Sequence, residues 1–300
     1  MSLRAELIRL CLRWFVKRRQ VTVAQSQQRI KLLERFVPGP PADVQFVNVD
    51  AGGIAAERIT TPLSRPERHV LYLHGGAYVA GSPALYRDFT WRIAARARAH
   101  VLCIDYRLAP KHPFPAALDD ALRAYRWMLA ENIDPKRMAI VGDSAGGGLT
   151  FATMLRLRDE KLPLPAAAVV ISPWTDLALT GSSLRRNAKR DVLLQLEPMP
   201  EFTRAYLAGI DARTPYASPL YGDPTGLPPT LIQVGGEEML LDDSVHMADK
   251  MRAAGCEVQL EIWPRMPHVW HFYARIMPEA REALSHIGVF LRDKLSSGSA

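Results

Sequence analysis

The stretch Val141-Gly-Asp-Ser-Ala-Gly-Gly-Gly148 sets one serine among four glycines directly behind a short apolar run. Met138-Ala-Ile-Val-Gly142 reads as a buried strand, and Gly146 to Leu157 as a helix that begins with small residues. A serine in Gly-x-Ser-x-Gly at such a strand-to-helix turn suits a nucleophile. The turn is too tight for neighbouring side chains, and the hydroxyl is held out at the carboxyl edge of a sheet. The following helix directs its free amides and the positive end of its dipole at the same point. A glycine-rich anion loop is disfavoured, because neither Gly-x-Gly-x-x-Gly nor Gly-Lys-Ser/Thr occurs in the chain.

Outward from this turn, short runs rich in Val, Ile and Leu alternate with helical periods, which argues for an α/β fold with a mostly parallel sheet covered on both faces. The runs predict eight strands: 43–49, 54–60, 69–74, 100–107, 138–142, 166–172, 230–234 and 258–263. Leu118, Ala121, Leu122, Tyr125 and Leu129 mark one helix. Val245, Ala248 and Met251 mark another, with Asp242 or Asp243 as its expected N-cap and Gly255 as its stop. A last helix runs from about Pro278 with Ala283, Ile287, Phe290 and Leu291 inward, and the tail Ser296-Ser-Gly-Ser-Ala300 is expected to be loose. Residues 180 to 226 break the alternation, and an insertion of that length commonly covers something or carries function.

Acyl transfer needs donors for the oxygen of a tetrahedral intermediate. Tyr72-Leu-His-Gly-Gly-Ala-Tyr78 ends another apolar strand, and consecutive glycines let backbone N–H groups approach such an oxygen. Gly75, Gly76 and the amide of Ala145 are the expected donors. A base and an orienting acid should follow the serine in the order acid, then histidine. Behind the seventh strand, Val234-Gly-Gly-Glu-Glu-Met-Leu-Leu-Asp-Asp243 offers four acids; behind the eighth, Pro264-Arg-Met-Pro-His-Val-Trp-His271 offers two histidines.

The 300 residues carry a net charge of +7, and residues 1 to 31 hold eight basic side chains (Arg4, Arg9, Arg13, Lys17, Arg18, Arg19, Arg29, Lys31) against the single acid Glu6. The rest of the chain is therefore neutral overall, which argues against a nucleic-acid-binding body. Leu3, Leu7, Leu10, Cys11, Trp14 and Phe15 recur at helical spacing, giving an amphipathic helix expected to pack its apolar face on the protein. Charges interrupt it too often for a signal peptide, and no run approaches the roughly 20 apolar residues of a membrane span, so no stable membrane insertion is expected. Three scattered cysteines, Cys11, Cys103 and Cys256, indicate neither a disulfide framework nor a zinc site and fit a cytoplasmic location.

Together these stretches resemble the bacterial hormone-sensitive-lipase-like (family IV) carboxylesterases of the α/β-hydrolase fold. The similar segments are His74-Gly-Gly-Ala-Tyr78, Asp105-Tyr-Arg-Leu-Ala-Pro110, His112-Pro-Phe-Pro-Ala-Ala-Leu-Asp-Asp120, Gly142-Asp-Ser-Ala-Gly-Gly147, Ser172-Pro-Trp-Thr-Asp176, Leu227-Pro-Pro229 and the His268 loop. The resemblance implies Ser144 as nucleophile, His268 as base, and Gly75, Gly76 and Ala145 as oxyanion donors. It also implies an α/β-hydrolase domain at 46–179 and 221–300, with residues 1–45 and 180–220 forming a helical cap. Many members have Asp-Pro-Leu-x-Asp after the seventh strand; here Glu238-Met-Leu-Leu-Asp242 stands in its place, which puts Glu238 in the triad ahead of Glu237 or Asp242. His271 is the second choice for the base. His74, Asp105 and Arg107 are expected to organise loops, and Asp143 to brace the turn.

The expected activity is hydrolysis of short-to-medium acyl esters of small molecules, with no metal or cofactor. The alternatives are an amidase or formamidase with the same triad, or a non-catalytic small-ligand receptor. A homodimer through the eighth strand is a further implication of the resemblance.

Overall fold

The computed structural model of the chain describes residues 2–15, 17 and 22–296. Arg18 and Arg19 of the basic segment, the Phe15 side chain and tail residues 297–300 lie outside the described residues. Eight strands form one sheet: β1 (Gln45–Asp50), β2 (Ala55–Thr60), β3 (Arg65–Leu73), β4 (Ala99–Ile104), β5 (Met138–Asp143), β6 (Ala167–Ile171), β7 (Thr230–Gly235) and β8 (Val258–Trp263). Their order is β1-β2-β4-β3-β5-β6-β7-β8. β1 and β2 run antiparallel to their neighbours, and β4 through β8 are paired in parallel.

The central strands are apolar on both sides, as a doubly covered sheet requires. Along β3, Val70 and Tyr72 face one core while Leu71 and Leu73 face the other. The first core is closed by α3 (Pro83–Ala97) and α9 (Pro278–Lys294) through Phe89, Ile93, Leu284, Ile287 and Leu291. α4 (Ala116–Ala130), α5 (Ala145–Asp159) and α8 (Leu241–Ala253) close the second through Leu118, Tyr125, Leu149, Met247 and Met251. α3 starts where Pro83 occupies the first helical turn and Ser82 Oγ accepts the Leu85 amide at 3.2 Å.

Register places the functional loops together. Leu73 of β3 is level with Gly142 of β5, Asp143 of β5 with Ile171 of β6, and Gly235 of β7 with Trp263 of β8. Parallel pairing thus gathers the carboxyl ends of β3, β5, β6, β7 and β8 on one edge. Sites in open α/β sheets form at that edge.

Two expectations are corrected. Asp242 and Asp243 do not cap α8; Leu240 stands at the N-cap, and both aspartates lie buried in the first turn. Their carboxylates are taken by the 175–186 segment: Asp243 accepts the amides of Thr175 and Asp176, and Asp242 accepts Ser182 Oγ, the Ser183 amide and Arg186. Distant donors outbid the local amides, which spacing alone cannot reveal.

The N-terminal pair α1 (Leu3–Phe15) and α2 (Val23–Glu34) gives the other correction. The stripe Leu3, Leu7, Leu10 and Trp14 does not pack inward; those side chains are 53% to 84% exposed. Small Ala5 and half-buried Ile8 touch the α9 side of the core instead. Polar ties hold the helix: Ser2 Oγ to Glu279 at 2.9 Å, Arg13 to the Lys189 carbonyl at 2.8 Å, and the Lys17 ammonium on the carbonyls of Ala188, Asp191 and Leu194.

Between β6 and β7 the chain carries α6 (Ser183–Arg186) and α7 (Met199–Leu207) above the carboxyl edge. No described helix is long and apolar enough to cross a membrane.

Candidate active site

Ser144 sits between β5 and α5 with φ +52° and ψ −122°, a conformation an L residue adopts only when its surroundings impose it. The imposition comes from backbone crowding. A Cβ on Gly142 would lie 2.2 Å from the Gly146 carbonyl oxygen, and one on Gly146 would lie 2.0 Å from that of Leu73. Glycine at both positions lets β3, β5 and α5 close around the serine.

Ser144 Oγ lies 3.0 Å from His268 Nε2, and His268 Nδ1 lies 2.6 Å from Glu238 Oε2. The three groups come from the ends of β5, β7 and β8. Glu238 is fully buried, and its second oxygen accepts Ser172 Oγ at 2.8 Å and the Gly235 amide. Ser172 Oγ also accepts the Val269 amide at 3.2 Å, so this one hydroxyl braces both Glu238 and the His268 loop. Burial opposes charge on His268, but the hydrogen bond and charge of Glu238, joined by the charges of Asp191 and Asp143, outweigh it and hold the imidazole pKa above its ordinary value.

The rival residues are employed elsewhere. Glu237 pairs with Arg9, Asp242 with Ser182, Ser183 and Arg186, and His271 Nε2 with Gln233 Oε1 at 2.7 Å. Burial pushes His271 down to about 3. It is a neutral core residue at working pH.

Asp143 accepts Tyr72 and Tyr86 hydroxyls at 2.7 and 2.9 Å and the Gly75 amide at 3.0 Å. Burial lifts its carboxyl to about 6 against those three donors. It braces the turn, as expected, but in doing so it uses the N–H of Gly75. That corrects one expected oxyanion donor: the amide is spent on Asp143 because strand register sets β3's end beside β5's. Gly76 bends the chain at φ +117°, which only glycine tolerates readily, and Ala77 follows it into the pocket beside Ser144.

His74 is buried, stacks on Tyr106 at 4.2 Å and bonds the Gly75 carbonyl through Nδ1 at 2.7 Å. Arg107 forks onto Asp120 with contacts of 2.7 to 3.1 Å. Both organise loops, as expected. Asp105 instead lines a cleft of about 1090 Å³ with Glu34 and Glu57, away from Ser144.

The cavity over Ser144 is smaller, about 190 Å³, and its walls include Ala77, Trp174, Leu193, Leu194, Met199 and Phe202, with Ser26 from α2. Sequence reasoning put residues 180–220 over the pocket as a block without singling out Leu193 to Phe202, and it missed Ser172 as part of the site. Ser172 opens the segment Ser172-Pro-Trp-Thr-Asp176 at a strand's carboxyl end, and that position was the available signal.

A serine held at this strand-to-helix turn, on the carboxyl edge of a sheet ordered this way, defines an α/β hydrolase. The family model described as "alpha/beta hydrolase fold" matches residues 70–272. The chain belongs to that family, and within it to the bacterial hormone-sensitive-lipase group. It is 46% identical over 259 residues to an acetyl-hydrolase of Streptomyces hygroscopicus, covering 86% of this chain and 85% of that one. An esterase of Acinetobacter venetianus is 37% identical over 85% of this chain and 84% of its own. The crystal structure of an esterase from the bacterial hormone-sensitive lipase family superposes with a TM-score of 0.93 at 41% identity, covering 98% and 99% of the two chains.

Proposed function

We propose that the protein is a carboxylic-ester hydrolase acting on short-to-medium acyl esters through Ser144, His268 and Glu238. The observation that carries this reading is the continuous chain from Ser144 Oγ to His268 at 3.0 Å and on to Glu238 at 2.6 Å, beneath an apolar pocket. Relatives named acetyl-hydrolase and esterase support it.

His268 Nε2 takes the Ser144 proton as Oγ attacks the ester carbonyl carbon. The carbonyl electrons move onto oxygen, which the amides of Gly76, Ala77 and Ala145 stabilise. Collapse expels the alkoxide, protonated by His268, and leaves an acyl-serine. Water, deprotonated by the same imidazole, then releases the acid and restores the serine. Glu238 holds Nδ1–H and stabilises the imidazolium in both halves.

Residues 1–45 and 180–220 act as the cap over this pocket, a reading supported by Ser26 and the Leu193–Phe202 wall. About 190 Å³ is below the roughly 300 Å³ at which drug-sized pockets begin, which favours short acyl groups.

The test is a series of p-nitrophenyl esters from acetate to decanoate. The expected profile peaks at hexanoate or shorter, with a pre-steady-state burst where deacylation is slow. Failure to hydrolyse acetate through hexanoate overturns the reading, and faster cleavage of the matching amides makes the protein an amidase.

A further inference from the structure

Arg9, on the outer helix α1, reaches down to both loops that carry the proposed acid and base. One guanidinium nitrogen donates to the carbonyl of Arg265, three residues before His268, and the other to the carboxylate of Glu237, the neighbour of Glu238. From the same helix, Glu6 pairs with Arg265 at 2.5 Å. The loops meet without these ties through the Gly236 amide on the Trp263 carbonyl at 2.8 Å. That contact lies at the strand ends, whereas Arg9 grips the two loops farther along.

Exposure separates the two ion pairs. Arg9 and Glu237 are 13% and 23% accessible, against 35% and 55% for Glu6 and Arg265. An exposed pair is screened and contributes little, while a charge-assisted bond partly sheltered from water is screened less and holds geometry better. Arg9 also bonds a backbone carbonyl, so it constrains the path of the His268 loop as well as the charge beside it.

We infer that Arg9 is a positioning residue: it clasps the Glu237–Glu238 loop to the Arg265–His268 loop and so keeps the His268–Glu238 hydrogen bond in register. Through it the placement of the N-terminal helix reaches the reacting groups. The inference rests on the proposed roles of Glu238 and His268 and names a residue that never touches substrate.

The test uses the full chain with Arg9→Ala, Arg9→Lys, Glu237→Gln and the Arg9→Ala/Glu237→Gln double variant. Two readouts are taken: kcat and KM on p-nitrophenyl butyrate, and the downfield proton resonance of His268 Nδ1, assigned by its loss in His268→Ala. Arg9→Ala should lower kcat by about 3- to 30-fold with KM within twofold, and should shift or broaden the resonance. Arg9→Lys, which can keep one of the two bonds, should recover part of both. The double variant should lose less than the two single losses combined, as expected for groups acting through one contact. An unchanged resonance with unchanged kcat overturns the inference, as does an effect confined to KM or to the melting temperature. The resonance reads the clasp even if no ester is turned over, so failure of the hydrolase reading and failure of the clasp are distinguishable.

Discussion

His268 stands between opposing demands. In the proposed mechanism it must be neutral to take the serine proton, yet Glu238 stabilises its charged form enough to overcome the effect of burial. The base is therefore lost as pH falls through a pKa above the ordinary histidine value of about 6.5, and kcat/KM should fall along that limb. Glu238→Gln removes the main stabilisation of the imidazolium and leaves burial, so the acid limb should move to lower pH while the plateau drops. A limb that stays in place would assign it to another group. Ser172→Ala removes one of the two donors to Glu238 Oε1, leaving the Gly235 amide, and takes away the acceptor of the Val269 amide; a kcat loss of about tenfold is expected, measured on p-nitrophenyl butyrate. Ser144 and His268 were legible because motif and chain order constrain them. Ser172 was not, since its bond to Glu238 joins residues 66 apart in sequence. Nor was the commitment of Gly75 to Asp143, which depends on the β3–β5 register.

Among the elements, the turn at Ser144 is the one most fully written in the sequence, because only glycine fits where backbone meets backbone. Gly146→Ala would set a Cβ 2.0 Å from the Leu73 oxygen and should destabilise the fold by about 3 kcal/mol, read by urea denaturation. A variant as stable as wild type would mean that α5 can shift away from β3. The proposed cap segments were less legible. α1 turns its apolar stripe outward, and Met199 and Phe202 of α7 line the cavity over Ser144 while Tyr206 and Leu207 of the same helix join the core, so one pattern of spacing serves three different surroundings. Phe202→Ala, by removing a wall of the pocket, should raise the octanoate-to-butyrate rate ratio by roughly tenfold. No change in that ratio would place the acyl chain elsewhere.

For the whole molecule, alternation marked the strands but not their order, and all eight expected strands are present with ends displaced by a few residues. What alternation could not supply was the meeting of five loops at one edge, which is set by register across sequence-distant strands. β8 ends the sheet, with Ile262 47% exposed. A dimer formed there predicts a dimeric sedimentation coefficient that Ile262→Lys returns to that of a monomer, and a monomeric wild type would remove that assembly. The account as a whole turns on one chemical chain through Ser144, His268 and Glu238. The most direct measurement is the initial rate on p-nitrophenyl butyrate for wild type, Ser144→Ala and Glu238→Ala in parallel, with circular dichroism confirming that each is folded. Ser144→Ala should lose at least about 10³-fold in kcat and Glu238→Ala at least about 10²-fold. Full activity in folded Ser144→Ala would contradict the account outright, and full activity in Glu238→Ala would show that the acid lies elsewhere.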